Sequence, residues 1–291
     1  MADVYSLGPA RPDFVNNDLP AGFGVVEKPL SLWERVFDNS AVRKGLLLMG
    51  LALIWEIYAR WLDNDLLFPT LSQTVVAFFD GFRSGELIKA TARSLGTLLE
   101  GYALGVLLAA LATAFATSTR IGADLLDTLT SMFNPLPSIA LLPLSMVWFG
   151  LGNGSIIFVL VHAVLWSVAL NTHAGFRAVS PTWRMVGQNY GLSRFAYVTK
   201  ILIPGALPSI LTGLKIGWAF AWRTLIAAEL VFGASSSGGG LGWDIYQNKN
   251  QLNIPSVFAG LLMVIIIGLA VDNSVFRNLE QRTIRRWGME S

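Results

Sequence analysis

Apolar residues run almost without a break through six stretches of this chain, at about 45–62, 94–117, 130–150, 154–173, 206–232 and 254–276. Each is close to or above the roughly 20 residues that a helix needs to cross the hydrocarbon core of a bilayer. Backbone groups in lipid must satisfy one another, so the pattern predicts an all-α polytopic membrane protein with six transmembrane helices. Residues 1–30 are rich in Pro, Gly, Asp and Asn and predict a loosely ordered tail. They lack the basic-then-apolar start of a cleavable signal peptide. Over 31–44, Leu32, Trp33, Val36 and Phe37 share one helical face, which predicts an amphipathic helix lying in the membrane interface. The six-helix domain then fills 45–276, with an external helical segment within 63–93 and a basic tail at 277–291.

Composition agrees with the pattern. Hydrophobic residues make up 53% and charged residues 14%, with a mean hydropathy of +0.54, against roughly 25% charged in a soluble domain. The net charge of +2 is too small to suggest nucleic acid, and the absence of Cys excludes disulfides and thiolate chemistry. The placement of the cations is informative. With the N-terminus in the cytoplasm, inside segments hold 14 Lys and Arg and outside segments hold 5. That imbalance orients the chain with both termini and the 180–208 loop in the cytoplasm.

The 180–208 loop is polar and basic between two apolar spans. Ser180 and Pro181 suit the N-cap and first turn of a helix. Gly191 suits a left-handed helix end, and Ser193 can cap a second helix, Arg194 to Ile203, that ends at Pro204. A helix, a tight turn and a second helix make a stiff knob able to pass a push into the spans.

In this knob Gly191 is followed after nine residues by Ile201-Leu202-Ile203-Pro204. The spacing resembles the second half of the EAA loop of ATP-binding-cassette importer permeases. The E-A-A positions themselves are Met185, Val186 and Gly187 here, and Ile203 stands for the Leu. PLPSIALLPLSMVWFGLG and AWRTLIAAELV are similar to stretches of the nitrate, sulfonate, taurine and bicarbonate permeases, and the resemblance covers most of residues 90–280. It implies the type I ABC importer permease (MetI-like) fold in the bacterial inner membrane. It also implies two ABC ATPase subunits carrying ATP and Mg, a second permease copy, and a periplasmic or lipid-anchored solute-binding protein. No nucleotide-binding motif occurs in the chain itself, so no cofactor is expected here. ATPase coupling would fall on Arg184, Met185, Val186, Gly187, Gln188, Asn189, Tyr190, Gly191, Leu192, Ser193 and Arg194, and the cargo would be a small oxyanion.

Ionisable and helix-breaking residues inside spans each need an account, because a charge at mid-membrane costs roughly 2.5–3.5 kcal/mol on the insertion scale. Pro143 interrupts the third span and suggests a lining of the pathway. Glu56 and Arg60 stand four apart, suited to pair with each other. Lys215 can snorkel. Arg223 and Glu229 point about 120° apart on one helix. Either they face the pathway, with Trp222 beside them, or they pair with Glu100, Glu56 or Asp272. His162 is either an interhelical hydrogen-bond partner or a pathway residue. It lies too far from His173, about 16 Å along the helix, for the two to share a metal. The Gly-rich run 233–242 reads as a flexible external turn. No catalytic or metal-binding set is expected. Two other classes stay open: an ion-coupled secondary transporter, for which no internal repeat is visible, and an intramembrane enzyme, for which no nucleophile–base pair is evident.

Overall fold

The computed structural model describes residues 39–232 and 239–285. The expected tail at 1–30, most of the interfacial helix at 31–44, the run 233–238 and the end of the basic tail lie outside the described residues. Among the described residues every regular element is helical.

The elements in chain order are α1 (Ser40–Leu62), α2 (Leu71–Ser84), α3 (Glu86–Ser118), α4 (Arg120–Phe133), α5 (Leu142–Phe149), α6 (Asn153–Ala178), α7 (Pro181–Asn189), α8 (Arg194–Gly205), α9 (Leu207–Phe232), α10 (Leu241–Asn250) and α11 (Ile254–Val271). A 3-10 turn, Ser138–Leu141, precedes α5, and α11 continues through a widened π turn into short basic helical segments. Four helices are long and apolar enough to cross a membrane alone: α1, α3, α6 and the extended α11. Two bent pairs bring the number of spans to as many as six.

By compactness the chain divides into residues 1–53 and 54–291. The described part of the first unit is the opening of α1, whose Leu47, Leu48 and Met49 are exposed. In the second unit α6 packs along both α3 and α9. Small residues permit this approach: a Cβ on Gly101 or Gly105 of α3 would fall 2.6 and 2.7 Å from Leu160 and Val164 of α6. Helices in lipid gain nothing from hydrophobicity against each other, so close backbone contact of this kind supplies the packing. Leu98, Val159, Leu160, Val164 and Leu225 are fully enclosed at its centre.

Two predicted spans differ from straight rods. The chain is sharply bent within the stretch 130–150, where α4 and residues 138–149 meet at 89°. The break falls at Asn134–Pro137, where Pro135 and Pro137 lack N–H donors. Pro143 therefore sits in the first turn of α5, exposed, where its missing N–H interrupts no ladder. The fifth span bends by 73° at Ala206, so that α9 runs directly out of the knob's second helix.

The charges anticipated at the span ends find partners. Arg60 and Glu56 pair at 2.7 Å, and Glu56 also accepts from the Ser72 N–H and hydroxyl. Lys215 reaches Asp272 at 3.0 Å, which takes Asp272 away from Arg223. Among the described residues Arg223 has no carboxylate partner, so the pairing alternative for it is replaced.

Beside α2, the start of α3, α10 and the start of α11 enclose a cleft of about 750 Å³ carrying Asp80, Glu86 and Asp244. Burial, aided by the neighbouring Glu86 charge, pushes the Asp244 carboxyl above its ordinary value. A raised folded-state pKa means that the native state holds the proton longer than the unfolded chain. Asp244 therefore contributes most favourably below its unfolded pKa and loses that contribution as pH rises through the folded one. Asp244→Asn is expected to raise the melting temperature of the detergent-solubilised chain at pH 7 and to leave it nearly unchanged at pH 3, below the unfolded-state value. Identical melting curves for both proteins across that range would contradict it.

Candidate functional site

The knob is built as its sequence dictates. The Ser180 hydroxyl accepts from the Trp183 N–H at 3.4 Å, and Pro181 opens α7. The helix stops at Gly191, with φ +60. Its end is a paired cap in which Gly191 N–H donates to Gln188 at 3.0 Å and Leu192 N–H donates to Gly187 at 3.2 Å. Ser193 then caps α8 through the Ala196 N–H at 3.3 Å. Gly187 is where the two helices touch: a Cβ there would lie 2.8 Å from the Tyr197 ring. Beneath them Phe176, Val179, Leu202 and Ala206 form an apolar cluster separate from the main core. The knob is thus stiff and joined to α6 and α9.

Its residues divide into two roles. Trp183, Met185, Tyr190 and Phe195 are each exposed, at 61, 56, 80 and 79%. Arg184 points inward. Its guanidinium donates to the carbonyls of Phe176 at 2.6 Å, Val179 at 3.1 Å and Arg177 at 3.4 Å, closing the C-terminal end of α6. Val186 and Leu192 are half-buried, and Gln188, Asn189 and Arg194 are exposed.

Within the spans, a cavity of about 430 Å³ opens beside the break between α4 and α5. Two of the five predicted pathway residues, His162 and Arg223, meet in its wall. Trp222, on the other side of α9, is buried and donates its Nε1–H to Val264 O at 3.3 Å. Pro143 and Glu229 lie away from the cavity.

Comparison with known proteins now bears on this geometry. Residues 101–285 match the model of the binding-protein-dependent transport system inner membrane component. The chain belongs to that family. Among its relatives, the permease of the taurine transport system of Escherichia coli is 30% identical over 82% of this chain and 86% of its own. A permease of the same organism named for aliphatic sulfonate transport is 30% identical over 82% and 89%. The nitrate import permease of Synechocystis is 28% identical over 86% and 90%. The matched region holds the knob, the cavity and α9, so the protein is an ABC transporter permease subunit, a multi-pass inner membrane protein.

In this permease Glu229 has a different setting from Arg223. It is 5% exposed, and both its oxygens accept from the Ser94 hydroxyl of α3 at 2.8 Å. Oε2 also accepts from Gly242 N–H at 2.8 Å, while Leu241 N–H donates to Ser94 Oγ at 2.7 Å. The carboxylate thus clasps the start of α10 against α3 and α9. A Cβ on Gly240 would lie 2.1 Å from Glu229 Oε1, and one on Gly242 would lie 2.6 Å from Ile226 O. The described end of the Gly-rich run, Gly239–Gly242, is therefore a fitted joint in place of the expected flexible turn. The pattern Gly-Leu-Gly, ending thirteen residues beyond an intramembrane Glu, was a usable signal for it. Ser94 gave no sequence signal of its own.

Proposed function

We propose that two copies of this permease form the pathway of an ATP-driven importer for a small oxyanion. The knob faces the cytoplasm, as the distribution of Lys and Arg suggests, and seats one ATPase subunit per permease. ATP and Mg belong to that partner, and a solute-binding protein delivers cargo on the opposite side. The observation that carries this reading is the exposure of four large apolar side chains, Trp183, Met185, Tyr190 and Phe195, on a hairpin that has its own packed cluster. Exposed large apolar side chains on a stiff polar loop mark a docking surface. Met185 stands at the family's glutamate position, so the contact here is more apolar than the motif implies.

Motion follows from connectivity. ATPase closure pushes the α7–α8 hairpin, α8 runs through the Ala206 bend into α9, and Arg184 ties α7 to α6. A push therefore reaches the two helices that carry His162 and Arg223, and rocking them exchanges access between the two sides. Oxyanion cargo is supported by the taurine, sulfonate and nitrate names of the relatives and by a cavity whose one charge is Arg223.

The test is purification of the full chain with its ATPase. A two-to-two complex is expected, and the double substitution Tyr190→Asp with Phe195→Asp should lower ATPase recovery at least about tenfold, since burying two unpaired carboxylates in an apolar contact is costly. Undiminished recovery would remove the knob as the docking face. Sodium- or proton-dependent uptake by the chain alone would favour a secondary transporter.

A further inference from the structure

We propose that a lateral groove between α3 and the α8–α9 bend binds one anionic phospholipid, with an acyl chain along its apolar walls and the phosphate at Arg194. The groove holds about 800 Å³. Val106, Ala110 and Ala114 of α3 line one side, and Phe195, Ile203 and Ile210 of α8 and α9 line the other. Ala110, Ala114, Phe195 and Ile203 are exposed, so both walls offer surface to an occupant. From α6, the buried Val168 and Phe176 complete the lining.

The occupant follows from depth, polarity and charge. Both α3 and α6 are long and apolar enough to cross a membrane, so a groove along them meets hydrocarbon. From Val106 to Ser118 its α3 side runs about 18 Å, close to one leaflet's share of a core about 30 Å thick. The hydroxyls on that side are already used. Thr113, Thr117 and Ser118 donate to the carbonyls of Ala109, Thr113 and Ala114 at 2.8, 2.7 and 2.8 Å. A polar solute entering here would leave its water and gain no hydroxyl donor from α3 in exchange, whereas an acyl chain forfeits nothing.

Charge selects the headgroup. Arg194 opens α8 and lines the groove at the end where α3 finishes, beside Ser118. It is exposed and makes no ion pair among the described residues, and no carboxylate lines the groove. A guanidinium at a membrane surface takes a phosphate through two parallel hydrogen bonds. The ammonium of a zwitterionic headgroup would find no counter-charge in the lining, so the groove ranks phosphatidylglycerol above phosphatidylcholine. Ile203 and Ile210 stand on either side of the Ala206 bend, so a bound chain steadies the joint between α8 and α9. The inference goes beyond the importer reading and does not rest on it, because the groove and its cation share one membrane surface whichever side the knob faces.

The experiment is native mass spectrometry of the full chain in detergent, titrated with dioleoyl phosphatidylglycerol or dioleoyl phosphatidylcholine. One phosphatidylglycerol per chain should be retained, at a severalfold lower concentration than phosphatidylcholine requires. Arg194→Gln should reduce that preference by about fivefold, the scale of one basic residue at an anionic surface, while a lipid still binds at higher concentration. Ala114→Trp fills the groove and should abolish the first tight lipid of either kind. Should that variant fail to melt and elute like the native chain, Arg194→Gln at its exposed position decides alone. Arg83→Gln, at the end of α2 and outside the groove, should keep the native preference. Glycerol phosphate, a headgroup without a tail, should displace nothing. Equal retention of the two lipids, an unchanged preference in Arg194→Gln, or the same loss in Arg83→Gln overturns the site. So does a lipid-free dimer that Ala114→Trp dissociates, which would give the groove to a second copy of the chain.

Discussion

Glu229→Ala is expected to leave little folded permease, with the melting temperature of the detergent-solubilised chain falling by roughly 10 °C. The substitution removes the acceptor of the Ser94 hydroxyl and the Gly242 N–H at once. Both groups are buried, and each orphan costs about 1–3 kcal/mol. With the lost volume, the total is roughly 3–5 kcal/mol, in the range seen when a buried charge partner is deleted. Glu229→Gln should fall between, because one amide oxygen can still accept while the NH2 must face either Ser94 or a backbone donor. Gly240→Ala should fail as badly as the alanine variant for a different reason. It leaves every bonding group in place but puts a methyl 2.1 Å from Glu229 Oε1 and 2.4 Å from Ser94 Oγ. Thermal melting, with size-exclusion profiles of the same samples, checks all three. Normal melting of Glu229→Ala with transport abolished would return this residue to the pathway, where its position in an apolar span first suggested it.

The sequence revealed the knob more fully than the spans. Ser180, Pro181, Gly191 and Ser193 each act through local backbone chemistry, so their spacing alone predicts two capped helices and the turn between them. The spans were legible as lengths of apolar chain, but their bends were not. Pro143 drew attention as the helix breaker because it stands in mid-stretch, yet the structure breaks at Pro135 and Pro137 and uses Pro143 to open α5. A proline's effect depends on which turn of a helix it occupies, and the pattern of apolar residues does not number the turns. The intramembrane charges show the same limit. Glu56 and Arg60 were readable because their partner lies four residues away. Glu229 is held by Ser94, 135 residues distant, and Trp166 stacks on Phe133 from another helix. Such relations come from packing, which periodicity does not record. The 120° between Arg223 and Glu229 did foretell that the two charges go to different neighbours.

Arg184→Ala is expected to separate docking from transport, and this follows from where its guanidinium points. In the sequence Arg184 opens the stretch aligned with the family's ATPase-contact motif, which suggests a polar contact with the partner. In the structure its Nε and Nη2 donate to the carbonyls of Phe176, Arg177 and Val179, the last of α6 and the linker that follows it. The exposure of Trp183, Met185, Tyr190 and Phe195 does not depend on those bonds. Recovery of the ATPase with Arg184→Ala should therefore stay within about twofold of the native level, in line with a residue whose loss exposes no new face to the partner. The loss appears inside the lever. Three helix-end carbonyls go without their cation, a partly exposed arrangement worth about 1–2 kcal/mol after allowance for solvent, and α7 is no longer tied to α6. Import should drop by about tenfold, the rate equivalent of that energy, while ATP hydrolysis continues with weakened dependence on the solute-binding protein. Arg184→Lys should recover only part of the coupling, because a single ammonium cannot reach carbonyls on both sides of the turn as a planar fork does. Measuring ATPase recovery, hydrolysis and uptake on one reconstituted preparation separates the possibilities. Collapse of recovery itself would make Arg184 a contact residue. Intact recovery with uncoupled hydrolysis would mean that force enters through the knob's exposed apolar side chains and leaves through this arginine.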